Sequence, residues 1–167
     1  MANGQVFDGR GGSRRDFLRA AAGAAGALLV GAEALRAAPA PDPWGEELPE
    51  RVREVLRARF GERTVRPGRV QLDVPENAPD GRSVPVFVET SLPLVSTDYV
   101  KAIHVVVDHN PDIYLAGFHF SAALGAASVD TRIKMRRTSY VRAIAETSRG
   151  ELWGAATKVF VTLNGCG

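Results

Sequence analysis

The sequence predicts a mainly β fold: a two-sheet β-sandwich preceded by one short helix. Three observations predict it. Seven short apolar runs lie between residues 70 and 163, split by turn residues at close intervals. Four of them alternate, with Val86/Val88, Ile103/Val105/Val107, Val141/Ala143/Ala145 and Val159/Val161/Leu163 in step; a period of two is the mark of a strand with one buried face. Between the runs there is little of the 3.6-residue periodicity that crossover helices would need, which leaves two packed sheets.

The elements follow in order. Residues 49–60 carry Val52, Val55, Leu56 and Phe60 at helical spacing among Arg and Glu, and Gly61 stops the run, so an amphipathic helix is expected there. The first strand, Val70 to Val74, ends at Pro75. The second, Val84 to Thr90, lies between Asp80-Gly81 and Pro93. Val100 to Val107 stops at Asp108-His109-Asn110-Pro111, and Tyr114 to Phe120 runs into a loose Ala/Gly/Ser stretch. Ser128 to Lys134 and Tyr140 to Thr147 flank a basic corner, and Arg149-Gly150 turns the chain into a last strand, Glu151 to Leu163. No internal repeat is present.

Ahead of the helix the sequence changes character. Ser13-Arg14-Arg15-Asp16-Phe17-Leu18 has the form of a twin-arginine export signal, with Arg14 and Arg15 as its defining pair. The Ala/Gly-rich stretch from Ala20 to Ala34 is too weakly apolar, and too closely fenced by Arg19, Glu33 and Arg36, for a membrane-spanning helix. Small-residue cleavage patterns fall after Ala34 and after Ala40; Pro41 directly after the second disfavours it. The expected organisation is a signal peptide over 1–34 (cut as late as 40), a linker over 35–48 and a domain over 49–167. The mature chain, about 130 residues, is the size of one domain. The destination is the periplasm.

Composition narrows the function classes. The 167-residue chain carries a formal net charge of +2 with acids and bases interspersed, and its aromatics do not interleave with arginines, so no nucleic-acid surface is expected. The three histidines, His104, His109 and His119, match no metal-ligand spacing and fall on different elements; no metal is expected. His104 alternates with Ile103 and Val105 and reads as a hydrogen-bonded sheet histidine. Phe118-His119-Phe120 places two aromatics in the core and the histidine on the opposite face. The corner Lys134, Arg136 and Arg137 reads as a solvated turn, with attraction of anions or acidic partners as the other reading.

The only cysteine is Cys166, in the tail Asn164-Gly165-Cys166-Gly167 directly after the last strand. A structural cysteine is buried or paired; this one has nothing after it to cover it and no partner in the chain. In an oxidising compartment an unpaired thiol is exposed to oxidation, which favours use over accident. Flanking glycines add no bulk and leave the backbone free, so the tail reads as a thiol handle that a pocket on another protein could take in. The tail supplies no neighbouring base, helix N-terminus or cation to make the thiol a nucleophile in its own right. An incidental terminal cysteine is the plainer alternative.

Several segments together resemble the SoxY family, the sulfur-carrying subunits of the bacterial Sox thiosulfate-oxidation system. They are Gln71-Leu72-Asp73-Val74-Pro75-Glu76, Ser83-Val84-Pro85-Val86, Val100-Lys101-Ala102-Ile103-His104-Val105, Asn110-Pro111, Phe118-His119-Phe120, Thr131-Arg132-Ile133, Ala145-Glu146, Lys158-Val159-Phe160-Val161-Thr162 and the terminal Gly-Cys-Gly. The resemblance covers roughly Val70 to Gly167, with the leader and the helix. It implies an immunoglobulin-like antiparallel β-sandwich that forms a heterodimer with SoxZ, a second small β-sandwich. It implies no catalytic activity and no resident cofactor: Cys166 carries sulfur covalently, on an arm formed by Asn164, Gly165, Cys166 and Gly167. It implies three further partners: a haem c enzyme that loads thiosulfate as a cysteine S-thiosulfonate, a dimanganese hydrolase that releases sulfate, and a molybdenum-haem dehydrogenase that oxidises the remaining sulfane sulfur. Two departures stand out. Asn164 replaces the arm's first glycine and the last glycine is missing, which leaves open a paralogous binding module or a carrier for another sulfur species.

Overall fold

The computed structural model describes residues 43–45, 48–92, 97–124 and 126–163, with Leu163 by its backbone alone. All belong to the unit Pro41–Gly167. Arg14, Arg15, Asn164, Gly165, Cys166 and Gly167 lie outside the described residues. Helix α1 (Glu50–Phe60) is followed by β1 (Val65–Pro67), β2 (Val70–Asp73), β3 (Asn77–Asp80), β4 (Val84–Thr90), β5 (Val100–Val107), β6 (Tyr114–His119), a 3₁₀ turn (Ala122–Leu124), β7 (Ser128–Ile133), β8 (Ser139–Thr147) and β9 (Leu152–Leu163). One sheet has the order β1-β9-β8-β5-β6, with β3 also paired to β9; the other is β2-β4-β7.

All seven expected strands form, and β1 and β3 are additions. Both run parallel to β9, so the larger sheet is mixed where a wholly antiparallel sandwich was expected. The two are three and four residues long and each contains a proline, Pro67 or Pro79. Such segments read as turns in sequence, and proline is tolerated only at edges. What makes them strands is the long free edge of β9.

Two cores sit on either side of the larger sheet. Between the sheets, Val84, Val86, Val88, Ile103, Val105, Val107, Val141, Ala143 and Val159 pack with Met135; these include nearly every residue that the alternation singled out. On the outer face, Val52, Leu56 and Phe60 of α1 pack with Val106, Ile113, Ile144 and Leu152, each large side chain contributing about 1.5–3 kcal/mol. Gly61 ends the helix at φ 66°, where its backbone N–H still reaches the Arg57 carbonyl.

The face under α1 also holds charge. Arg142, 2% exposed, makes a two-pronged pair with buried Asp108, Nε–Oδ1 at 2.6 Å and Nη2–Oδ2 at 2.8 Å. Its Nη1 donates to the Pro43 carbonyl, and the guanidinium lies 5.1 Å from the Trp44 ring. Nearby, His104 Nδ1 is 2.9 Å from the Tyr114 hydroxyl and Nε2 is 3.4 Å from Glu146 Oε2. This is the hydrogen-bonded sheet histidine expected from the sequence. Glu146 Oε1 accepts from Arg63 Nη1 at 2.5 Å and meets Lys101 Nζ at 3.0 Å. A neutral His104 satisfies both contacts when Tyr114 donates to Nδ1 and Nε2–H donates to Glu146. Gly117 is needed here: a Cβ would stand 2.4 Å from the Tyr114 hydroxyl.

This face can be tested in two ways. Asp108→Ala leaves the Arg142 guanidinium buried without its counter-charge and is expected to cost about 3–5 kcal/mol in urea unfolding. A loss under about 1 kcal/mol would contradict the role given to the pair. The second test concerns pH. Burial lowers the His104 pKa from 6.5, against the pull of Glu146, so folding disfavours its protonation. Burial also pushes Glu146 up, but hydrogen bonds from Arg63 and Lys101 outweigh it and hold the carboxyl below 4.5. Both contributions are complete at neutral pH; that of His104 is lost as pH falls below about 6.5 and that of Glu146 below about 4.5. The urea midpoint is expected to drop between pH 7.5 and 5.5, and His104→Gln to flatten that drop. An equal drop in the variant would exclude His104 as its source.

Candidate functional site: the exit of the last strand

The attachment point of the C-terminal segment is built from β9 and two connections between the sheets. The first eight residues of β9, Leu152 to Val159, pair with β8. Beyond Val159 the strand passes the start of β8, and its end pairs with β3 instead: Phe160 opposite Asn77, Val161 opposite Ala78, Leu163 opposite Asp80. The Phe160 N–H donates to the Glu76 carbonyl at 2.8 Å. On the other side the Val161 N–H donates to Thr138 Oγ1 at 3.0 Å. Both edges of the strand are therefore bonded near its exit.

The connections flanking the exit are Gly81–Ser83, leaving β3, and Lys134–Thr138, leading into β8. The Met135 N–H donates to the Gly81 carbonyl at 2.7 Å and ties them together. Asn110, buried, braces the second connection: its Nδ2 donates to the Lys134 carbonyl at 2.6 Å and its Oδ1 accepts from the Arg136 N–H at 2.9 Å. The basic corner thus stands beside the β9 exit with its backbone fixed. Lys134, Arg136 and Arg137 are exposed, and among the described residues none of them makes an ion pair. On the opposite flank, Arg82 pairs with Asp80 at 2.7 Å and holds that carboxyl below its ordinary range. Phe160, 47% exposed, faces outward with Lys158 5.3 Å from its ring centre.

Cys166 is three residues beyond Leu163, so covalent geometry limits its Cα to about 11 Å from that of Leu163. The structure fixes the anchor of Asn164, Gly165, Cys166 and Gly167 but does not describe those residues. The histidines do not converge: His104 is buried, His109 is exposed in the turn after β5, and His119 is exposed on β6 with its ring 6.5 Å from that of His104. Among the described residues no three His, Cys, Asp or Glu side chains are grouped to hold a metal ion, and no helix is long and apolar enough to cross a membrane. Phe118 and Phe120 pack against the inter-sheet core and His119 faces away, as expected. The brace by Asn110 and the bond from Thr138 were not read from the sequence; the only signal was the Asn110-Pro111 turn, which gives no clue to a partner 24 or 26 residues on.

Comparison with known proteins bears on this arrangement. No curated protein matches the chain. The sulfur carrier protein SoxY from Chlorobium limicola f thiosulfatophilum is similar in structure, with a TM-score of 0.58 and 25% identity over 68% of this chain and 98% of that one. A superoxide reductase (neelaredoxin) from Ignicoccus hospitalis, in a single-residue variant, reaches a TM-score of 0.51 at 16% identity over 65% of this chain and 86% of its own, a likeness of fold alone. The family described as sulfur oxidation protein SoxY matches residues 56–166, from the second half of α1 through both sheets to the only cysteine. With well over half of its length matched in this way, the chain belongs to the SoxY family.

Proposed function

We propose that this chain is an exported sulfur carrier that holds thiosulfate-derived sulfur on Cys166 and presents it to other enzymes. The observation that carries the reading is the family match reaching residue 166, the position of the only thiol, on a segment whose root is bonded on both edges. Loading joins the cysteine sulfur to the outer sulfur of thiosulfate: RSH + S₂O₃²⁻ gives RS–S–SO₃⁻, one proton and two electrons. A haem c enzyme takes the electrons. Hydrolysis by a dimanganese enzyme then cleaves the bond to the sulfonate: RS–S–SO₃⁻ + H₂O gives RS–S⁻, SO₄²⁻ and two protons. A molybdenum-haem dehydrogenase oxidises the sulfur left behind. The chain itself contributes the tether and no catalysis, and the sulfur is cargo, so no resident cofactor is required. Tethering keeps a reactive intermediate at high local concentration for successive enzymes.

The same reading includes a heterodimer with a SoxZ-like sandwich and the periplasm as its compartment, the latter supported by Arg14 and Arg15 in the export motif. The slim Gly165 and Gly167 fit entry into a narrow enzyme cleft. Asn164 is bulkier than glycine at the base of the arm, which favours, as a second reading, a paralogue that carries a different sulfur species or serves only as a binding module.

The test is intact mass of protein taken from the periplasm of thiosulfate-grown cells, with and without reductant. A reducible adduct of thiosulfate or sulfane-sulfur mass is expected on the wild type and none on Cys166→Ser, while the variant still binds its SoxZ-like subunit. A bare or glutathione-capped thiol in the wild type would count for the second reading.

A further inference from the structure

We propose that Arg136 and Arg137, with Lys134 beside them, form an anion seat for the sulfonate end of the group carried on Cys166. The proposal rests on the reading of Cys166 as the loading point and adds a binding role for residues that reading leaves unused.

Placement is the first ground for it. Thr138 is bonded to Val161 and Met135 to Gly81, the residue after the partner of Leu163. The corner between them therefore lies at the exit of β9, on the rim from which the cysteine-bearing segment departs. Covalent geometry keeps the Cα of Cys166 within about 11 Å of that of Leu163, a reach short enough for the proposed seat to be a neighbour of the exit rather than a distant surface.

Pairing divides the cations of the structure into two groups. Arg53, Arg57, Arg63 and Arg66 each face a carboxylate, and Arg82 faces Asp80. Lys134, Arg136 and Arg137 face none among the described residues, and neither do Arg51, Arg59, Arg69, Arg132 and Lys158. Of these, Arg59, Arg69 and Lys158 lie over aromatic rings and Arg132 bonds Ser83, while the three at the corner stand together beside the β9 exit. The corner is a solvated turn with a fixed backbone: buried Asn110 bonds both its Lys134 carbonyl and its Arg136 N–H, and three exposed cations follow one another within four residues of sequence. Such an arrangement costs stability through repulsion and is relieved by an anion.

The chemistry of the cargo matches. A thiosulfonate ends in three acceptor oxygens sharing one negative charge, and a guanidinium offers paired donors in the geometry that oxyanions accept. A seat of this kind holds the adduct weakly, because the cations are exposed to solvent. Weak holding suits a group that must be surrendered to the next enzyme.

Tetrathionate supplies the test without any added oxidant. The thiolate attacks one inner sulfur and the central S–S bond breaks: RSH + S₄O₆²⁻ gives RS–S–SO₃⁻, S₂O₃²⁻ and one proton. Rates for the mature chain and the double variant Arg136→Gln/Arg137→Gln are measured with this dianion and with the neutral disulfide 2,2′-dithiodipyridine. Both are compared as thiolate rate constants from full pH profiles, which removes any change in the thiol pKa. The variant is expected to lose about five- to tenfold with tetrathionate at low salt and less than about twofold with the neutral reagent, and the difference is expected to vanish near 0.5 M salt. Unchanged unfolding midpoints show that the fold is retained. Equal ratios of the two rates in wild type and variant, or a difference that survives high salt, overturn the seat while Cys166 stays a reactive thiol. Silence toward both reagents overturns the reading of Cys166 itself, and the seat with it.

Discussion

A terminal strand frays unless its edges are occupied, and in this protein the position of everything downstream of Leu163 depends on how β9 is held. Strand β8 covers one edge over eight residues, while on the other edge β1 pairs with the first three residues of β9 and β3 with its last four. The end that outruns β8 is then caught by Thr138. Without β3 and Thr138 the last residues would be bound to nothing, and the tether would effectively begin at Val159. With them, the strand is held as far as Leu163, at the rim of the sandwich. On the carrier reading this sets a short lever on a rigid base, so the reach of the thiol is governed by a few residues rather than by fluctuations of the sheet.

The rim also explains why two connections that look unremarkable in sequence are so fully bonded. Each crosses from one sheet to the other, and each lies beside the strand that carries the terminal segment. Met135, buried in the core, ties one to the other. A buried amide side chain must satisfy its donors and acceptor, and Asn110 does so on the backbone of the basic corner. The fold and the charge pattern at the exit are thus specified by the same hydrogen bonds.

Much of the fold was legible because its dominant signals are local. Alternating Ile103/Val105/Val107 and Val141/Ala143/Ala145 announce the inter-sheet core, and Val52, Leu56 and Phe60 announce the helix face. The residues between them say less. Val106, Ile144, His104 and Arg142 are also buried, because α1 covers the second face; the period of two picks out the inter-sheet side of such a strand but does not tell that its other side is covered as well. Strands β1 and β3 were not expected, because each is only three or four residues long, lacks a run of alternating apolar residues and contains a proline. At the site, the thiol was legible as a lone cysteine after a strand. Its neighbours were not, since the contacts of Asn110 and Thr138 are long-range and depend on how β8 pairs with β5 and with β9.

The bond from Arg142 to the Pro43 carbonyl has a consequence for maturation of the chain. A main-chain carbonyl at that point is the third acceptor of a guanidinium that is otherwise enclosed by Asp108 and aromatic rings. Proteolytic trimming past Pro43 would strip that acceptor and leave donors unsatisfied in a buried place. The segment just before the helix is therefore a limit to how far the amino terminus can be shortened, and the two cleavage positions expected from the sequence, after Ala34 and after Ala40, both fall short of it. A processing enzyme that overshot by a few residues would yield a sandwich weakened on the face under α1, where Arg142 lies.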